Sequence, residues 1–386
     1  MHISCVACVY KKKDWYNKIM KIAIDTSPIE GKSSLQHRVR GTGFYTKNLI
    51  ESLQKYDSKN AYTFFNRGET LPAARLPAGQ GRQELPKDIG IVHYPYFEPF
   101  FLTLPVFNEN PFVVTVHDLT PFVFPQNFPI GIKGKLKWQI QKLALKKAKR
   151  IVTDSISSKN DIIKYAGIPE NKIDVVYLAA GDKFRKLKIE NLKLKIARKY
   201  DLPEKFALYV GDVTWNKNLP RLVEASIKAD VPLVMTGKTL LSTDFDKDNP
   251  WNQDLVKVQK LSEGNKNIIR IGFVSDQDLV VLYNIAAVFV MPSIYEGFGL
   301  PVLEAMSCGC PVVTSREGSL TEVAGDAAFY VDAYDVDSIS DGIRKVFSDT
   351  RLRKELSEKG IVQAQKFSWK KTARNTIDTY KYILER

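Results

Sequence analysis

Short blocks of consecutive apolar residues alternate along this chain with longer stretches in which apolar positions recur every three or four residues. The blocks have the length of strands buried on both faces, and the periodic stretches have the length of helices. In the first half, Lys21–Ile24, Gly90–His93, Phe112–Val116 and Arg150–Asp154 predict strands. Phe44–Leu53 and Gly131–Lys149 predict helices between them. The pattern is then repeated. Phe206–Val210, Pro232–Thr236, Ile268–Ile271, Val288–Met291, Pro311–Thr314 and Ala328–Val331 predict strands, with helices at Asn218–Ile227 and Gln277–Asn284 among them. Such alternation points to parallel strands joined by crossover helices. Two α/β, doubly wound domains facing across a cleft are therefore expected, with lysine-rich Lys183–Tyr200 as the connection. Ligands of such sheets bind beyond the carboxyl ends of the strands.

Composition narrows the class. A length of 386 residues suits two domains. With 44% hydrophobic and 26% charged residues, a disordered or fibrous chain is excluded. The longest apolar candidate, Leu279–Met291, contains Asn284 and stops at Pro292, well short of the ~20 residues that span a bilayer. Cys5 and Cys8 form a lone CxxC lacking the further ligands of a zinc site, and Cys308 and Cys310 flank a single glycine. A reducing, cytoplasmic compartment fits this usage. Residues 1–19 lack the charged start and apolar core of a secretory signal. They read as an extension, with Met20 as the expected working start.

Charge changes the picture more. The net +14 is concentrated in residues 1–190, which hold 30 basic against 17 acidic residues. The rest is nearly balanced, at 27 against 26. An anionic partner touching the first half is implied. Leu119–Thr153 contains no Asp or Glu, and Lys133–Arg150 carries eight cationic residues beside Leu136, Trp138 and Ile140. This reads as a surface helix against anionic lipid, the alternative being a solvated basic helix. A nucleic-acid-binding protein would explain the charge but not the chemistry that follows.

The densest chemistry lies in Pro292–Ser315. A buried strand ends at Met291, a turn with Gly297 and Gly299 follows, and Pro301 opens a helix that Gly309 closes. A glycine-lined helix N-terminus is an anion site suited to a diphosphate. Glu304, eight positions after Glu296, has the chemistry to accept two hydrogen bonds from a ribose diol. Glu296 in the preceding loop would hold another hydroxyl-rich group. A merely capped helix would explain Glu304, but not two glycines and a second Glu in one turn.

This stretch resembles the E-x7-E motif of the retaining glycosyltransferases of family 4, which have the GT-B fold, and in particular their mannosyltransferase-like branch. Other segments are similar in order and spacing. Tyr209–Leu219 resembles the strand and loop that carry a phosphate-binding Lys. Val116–Leu119 resembles the HD element, with Phe124-Pro125 after it. Gly41–Tyr45 resembles the N-terminal glycine loop, and Gly272-Phe273 the base-binding region. Phe367–Trp369 resembles the start of a last helix that crosses back to the first domain. The resemblance spans residues 20–386. It implies an acceptor-binding domain over 20–185, a donor-binding domain over 186–368, and the returning helix over 369–386.

The resemblance also implies roles. Glu304 would bind the ribose and Glu296 the donor sugar. Gly297 and the backbone of Phe298, Gly299 and Leu300 would hold the diphosphate. Lys217 would neutralise the leaving group. His117 would position the donor sugar, Gly43 would approach the diphosphate, and Phe273 would lie by the base. Asp118 would orient its strand end or the acceptor. His117, Lys217 and Glu296 form the expected catalytic group. Many members carry an Arg where this chain has Asp212, and Arg38, Arg40 or Arg316 would have to substitute. His93 reads either as a residue of the acceptor side or as a core histidine. Asp244-Phe-Asp246 matches a metal-binding DXD but lies in a polar loop, and no metal is implied.

The expected activity is transfer of a sugar onto a hydroxyl of a glycan or lipid-linked acceptor, in cell-envelope polysaccharide synthesis. The donor would be a mannose-like sugar on GDP or a hexose on UDP. The enzyme would be cytoplasmic, touching the inner membrane face, with no cofactor and no nucleic-acid partner. A GT-B epimerase or phosphorylase is the nearest rival, and a non-catalytic sugar-binding relic another.

Overall fold

The computed structural model describes residues 19–29, 41–66, 85–188 and 190–384. Cys5, Cys8, Arg38 and Arg40 lie outside the described residues. The first half comprises β1 (Lys21–Asp25), α1 (Gly41–Tyr56), β2 (Ala61–Phe65), β3 (Ile91–Tyr94), β4 (Phe112–Thr115), α2 (Thr120–Val123), α3 (Ile132–Lys147), β5 (Arg150–Thr153), α4 (Ile156–Asp161) and β6 (Ile173–Val175). The second half begins α5 (Glu190–Lys199), β7 (Ala207–Val210), α6 (Leu219–Ala229), β8 (Leu233–Thr236), α7 (Gln253–Ser262), β9 (Ile268–Gly272) and α8 (Asp276–Ile285). It continues with β10 (Val288–Met291), α9 (Leu300–Ser307), β11 (Val312–Thr314), α10 (Leu320–Ala324), β12 (Ala328–Tyr330), α11 (Val336–Ser348), α12 (Thr350–Ala364) and α13 (Trp369–Leu384).

The strands form two six-stranded sheets, ordered β2-β1-β3-β4-β5-β6 and β12-β11-β10-β7-β8-β9. Every pairing is parallel, as the unbroken apolar blocks require. Alternate residues serve opposite faces. Ile22, Ile24, Val113 and Val152 pack in a core that runs on through Trp369, Ala373 and Tyr380 into the second half. Ala23, Val114, Ile151, Trp138 and Leu145 pack on the other face.

The chain order reverses between β7 and β10, so the loops leaving those two strands splay apart and open a crevice. These are the loops that carry Lys217 and Glu296–Leu300. The carboxyl end of β4 meets them from the other domain. A Cβ on Gly297 would come within 2.8 Å of Asp118 Cβ and 3.0 Å of the His117 carbonyl oxygen. That approach admits only glycine, so the two sheets face each other through their carboxyl ends.

Two expectations need amendment. Part of the lysine-rich connection is helical, as α5, with Ile196 buried against the second domain. Trp138 and Arg150, counted with the lipid-facing surface, point inward. Trp138 packs against Phe122 with ring centroids 4.4 Å apart, and Arg150 is buried and paired with Asp174. The helix α13 does return to the first domain. Thr372 Oγ1 donates to the Tyr177 carbonyl at 2.7 Å, and the Tyr380 hydroxyl lies 2.6 Å from His93 Nδ1. Among the described residues no helix is long and apolar enough to cross a membrane.

Candidate active site

Gly299 adopts φ +95°, a conformation open to glycine, and it is the residue before the first turn of α9. Pro301 sits in that turn. Pro301 has no N–H, and the Val302 N–H already donates to the Gly299 carbonyl at 3.0 Å, so the Leu300 N–H and those of the preceding loop are the donors at the positive dipole end of α9. Phe298 turns its ring inward, 6.3 Å from Tyr177 and 6.0 Å from Phe367, so only its backbone faces the crevice.

Lys217 ends a short helical turn, Trp215–Lys217, on the loop from β7. Its Nζ donates to both oxygens of Glu296, at 2.7 and 2.8 Å. Glu296 is 7% exposed. The two residues expected to share the donor are thus paired with each other, 79 positions apart in sequence. Glu304, one turn along α9 from Leu300, is 9% exposed and accepts from the Tyr283 hydroxyl at 3.1 Å. Burial pushes its carboxyl up to about 8, although Tyr283 and Lys183 favour the charged form.

Facing these, His117 places Nδ1 2.6 Å from Asp154 Oδ2 and Nε2 3.2 Å from the Pro95 carbonyl oxygen. Both ring nitrogens face acceptors, which favours the imidazolium. Burial, the largest single influence, opposes that charge, but Asp154, Asp118 and the Pro95 carbonyl together outweigh it and hold the ring above its ordinary value. Burial also pushes Asp154 up, with His117 working against it. Asp154 Oδ1 is buried without a partner. In this arrangement the imidazole has no nitrogen left for a sugar. Asp118 accepts from the Thr120 N–H at 2.9 Å, fixing the turn beneath Gly297.

A cavity of about 630 Å³ lies between the domains, lined among others by Gly43, Phe44, Lys47, Lys183, Lys238 and Phe273. Gly43 lies in the first turn of α1, and Phe273 is 61% exposed. Lys183 is paired with Asp276, and both charges act on Glu304, which puts that carboxylate beside the cavity. Asp212 accepts from the Lys238 N–H at 2.5 Å and so braces the loop after β8. Arg316 stacks on Tyr330 at 4.1 Å, engaged outside the Lys217–Glu296 pair.

His93 belongs to the core and not to the acceptor side. It is fully buried, bonded to Tyr380 and to Thr115 Oγ1 at 2.9 Å, and burial depresses its pKa to about 3. Asp246 caps the Asp248 N–H at 3.0 Å in an exposed turn, and Asp244 is exposed too. No cluster of three or more His, Cys, Asp or Glu suited to a metal exists among the described residues. Sequence reasoning missed Asp154, Lys183, Lys238 and Tyr283. Asp154 alone carried a signal, because it ends a predicted strand at the edge where ligands bind.

Two family models cover most of the chain. Glycosyl transferases group 1 matches residues 191–363, and Glycosyltransferase Family 4 matches residues 44–179. The O-antigen chain mannosyltransferase B of Escherichia coli is 35% identical over 282 residues, 70% of each chain. The serotype-specific mannosyltransferase WbdA of Escherichia coli is 30% identical over 71% of this chain, which spans only 34% of that longer protein. In structure, the sucrose-phosphate synthase of Thermosynechococcus elongatus superposes with a TM-score of 0.70 at 17% identity. That match covers 95% of this chain and 99% of the other.

Proposed function

The chain belongs to the group 1 glycosyltransferases of the GT-B fold, and from that premise we propose that it moves mannose from a nucleoside diphosphate onto a hydroxyl of a glycan or lipid-linked acceptor. The observation that carries this reading is the Lys217–Glu296 pair at the glycine-capped start of α9, at the reversal point of the second sheet. Mannose is favoured by the names of the relatives; the sugar would arrive on GDP, with a UDP hexose as the alternative.

The donor diphosphate would lie against the N–H groups of Gly297 to Leu300. It would draw Lys217 away from Glu296, so one exchange supplies both a cation to the phosphates and a carboxylate to the sugar hydroxyls. Glu304 would take the ribose diol, and Phe273 with the lysines of the cavity would flank the nucleoside. Charge growing on the leaving phosphate is stabilised by Lys217 and the helix dipole. Among the described residues no nucleophile and base stand at the sugar face, which fits a retaining, front-face transfer in which the leaving phosphate takes the acceptor proton. His117, held by Asp154 and the Pro95 carbonyl, would act as a fixed wall beside the sugar.

The acceptor would be presented at a membrane. Ile132 and Phe107 are each 88% exposed, and Leu102, Leu136 and Leu143 also face outward among the lysines of α3. Lys147 sits over Phe107 and Lys137 over Phe101. Such a surface suits anionic lipid at the inner membrane face.

The test is a thermal-shift screen of GDP-mannose, UDP-glucose, ADP-glucose and CDP-glucose, followed by transfer of labelled sugar to a lipid-linked glycan. Stabilisation by one of them, with transfer that survives EDTA, supports the reading. Hydrolysis or epimerisation without acceptor consumption would replace it with a GT-B epimerase or phosphorylase. Complete loss in EDTA, restored by Mn²⁺, would remove metal independence.

A further inference from the structure

We propose that a second interdomain cavity, lined by Trp215 and Asn218 on either side of Lys217 in sequence, is a subsite for a neutral sugar unit of the acceptor glycan. The proposal rests on the reading of the chain as a glycan-extending transferase and adds to it where the growing chain lies. The cavity has a volume of about 630 Å³, within the usual range for small-ligand sites. Loop 126–129 of the first domain forms one wall, and the starts of α6 and α7 form the other. Trp215, in its lining, shares one helical turn with Lys217. An occupant would therefore touch the turn that carries Lys217.

The lining has the chemistry of a sugar site. Phe128 is buried beneath two indoles, edge to face with Trp215 at 6.1 Å and with Trp251 at 5.2 Å. Trp251 is 54% exposed, an unusual position for so large an apolar ring. The Asn249 side chain accepts from its backbone N–H at 3.0 Å and holds that turn. An aromatic face presented to solvent takes the C–H face of a pyranose, and carboxylates beside it take the hydroxyls.

Asp254 and Glu224 supply those carboxylates, and neither makes a hydrogen bond or ion pair among the described residues. Asp254 is half-buried, an unfavourable state for a bare carboxylate. Arg221 and Lys257 balance the two acids, so the cavity is close to neutral. The lysine-lined cleft is more basic, setting Lys47, Lys55, Lys183, Lys238 and Lys370 against Glu51, Asp182 and Asp276. An anionic ligand would choose the cleft, and a neutral glycan this cavity. Both domains build it, and their arrangement in this structure already brings its walls together.

Calorimetry on the full chain tests this, with α-mannotriose and maltotriose as saccharide probes and GDP-mannose and UDP-glucose as separate donor probes. At least one trisaccharide should bind with a Kd on the order of 1 mM. Trp251→Ala should weaken it about tenfold, Trp251→Phe much less, and Asp254→Asn several-fold. Donor affinity should not move in any of the three. The same Trp251→Ala substitution should raise KM for a long glycan acceptor and spare KM for the donor. Equal trisaccharide binding by parent and Trp251→Ala, or none by the parent, overturns the proposal. Absence of binding by every nucleotide sugar counts instead against the transferase reading, since the saccharide titration is read without a donor.

Discussion

At the scale of single residues, the site is organised by charges that hold one another until a ligand intervenes. Lys217 is paired with Glu296, so the diphosphate must compete with a carboxylate for it. Lys217→Ala removes a cation whose contribution grows as the leaving group takes up charge. Turnover should therefore fall ~100-fold, and donor affinity much less. A loss of turnover below tenfold would shift the load to another cation of the cleft. Glu304 offers a sharper test, through protons. Its folded pKa of about 8 lies above the ordinary value of 4.5, so the native protein holds that proton more tightly than the unfolded chain. The associated stability is undiminished below about pH 4.5 and is lost as pH rises through about 8. A ribose diol that donates to the ionised carboxylate must expel the proton. Calorimetry near pH 7 in buffers of different ionisation enthalpy should then show close to one proton released on donor binding. Glu304→Gln should release none and should flatten the decline in stability above pH 5. Donor binding by the parent with no proton release would take Glu304 out of the ribose contact.

At the scale of elements, the strands and helices that place the site were legible because buried parallel strands write themselves as unbroken apolar blocks. The two strands that went unseen, β2 and β6, are the edges of the first sheet, while the edges of the second, β9 and β12, were legible. In β2 only Phe65 is buried and in β6 only Ile173, so neither reads as a run of buried positions. The orientation of α3 was legible only in part. Its lysines are spread around the helix, and only tertiary contacts with Phe97 and Phe122 show that Trp138 faces inward. Lys142 is likewise tied down, donating to the Tyr165 carbonyl at 3.0 Å. The membrane test therefore belongs on Lys133, Lys146 and Lys149, all exposed. Their reversal to Glu should abolish binding to phosphatidylglycerol vesicles at moderate salt, each cation contributing ~1 kcal/mol. Nucleotide binding should persist. Trp138→Ala should instead cost about 3–5 kcal/mol of stability, seen as an early denaturation midpoint. Vesicle binding equal to the parent's in the triple reversal would mean a solvated helix.

At the scale of the whole molecule, the contacts invisible to sequence are those between the domains. His93 was ambiguous because its partner Tyr380 lies 287 residues away, on the helix that returns from the second domain. The same holds for the latch that closes the cleft. Glu322 of α10 accepts from the backbone N–H groups of Ile156 and Ser157 at 2.8 and 2.9 Å, and from the Tyr177 hydroxyl at 3.1 Å. A carboxylate of the second domain thus caps the helix α4 of the first. Tyr295 adds a hydrogen bond to Asp161. These bonds draw together the walls that carry Gly297 and His117, so the closed cleft is partly held by the protein itself. Glu322→Ala leaves two N–H groups and a hydroxyl without their charged acceptor, a loss of roughly 1.5–3 kcal/mol. Neither sheet depends on Glu322, so the loss should appear as domain opening and not as unfolding. Small-angle scattering of the ligand-free variant should show a larger radius of gyration at an unchanged circular dichroism spectrum. Transfer should slow about tenfold or more, because the substrates must then supply the closure. Saturating donor should restore the compact form. A radius and rate equal to the parent's would show that Glu322 merely caps a helix, with closure left to the donor alone.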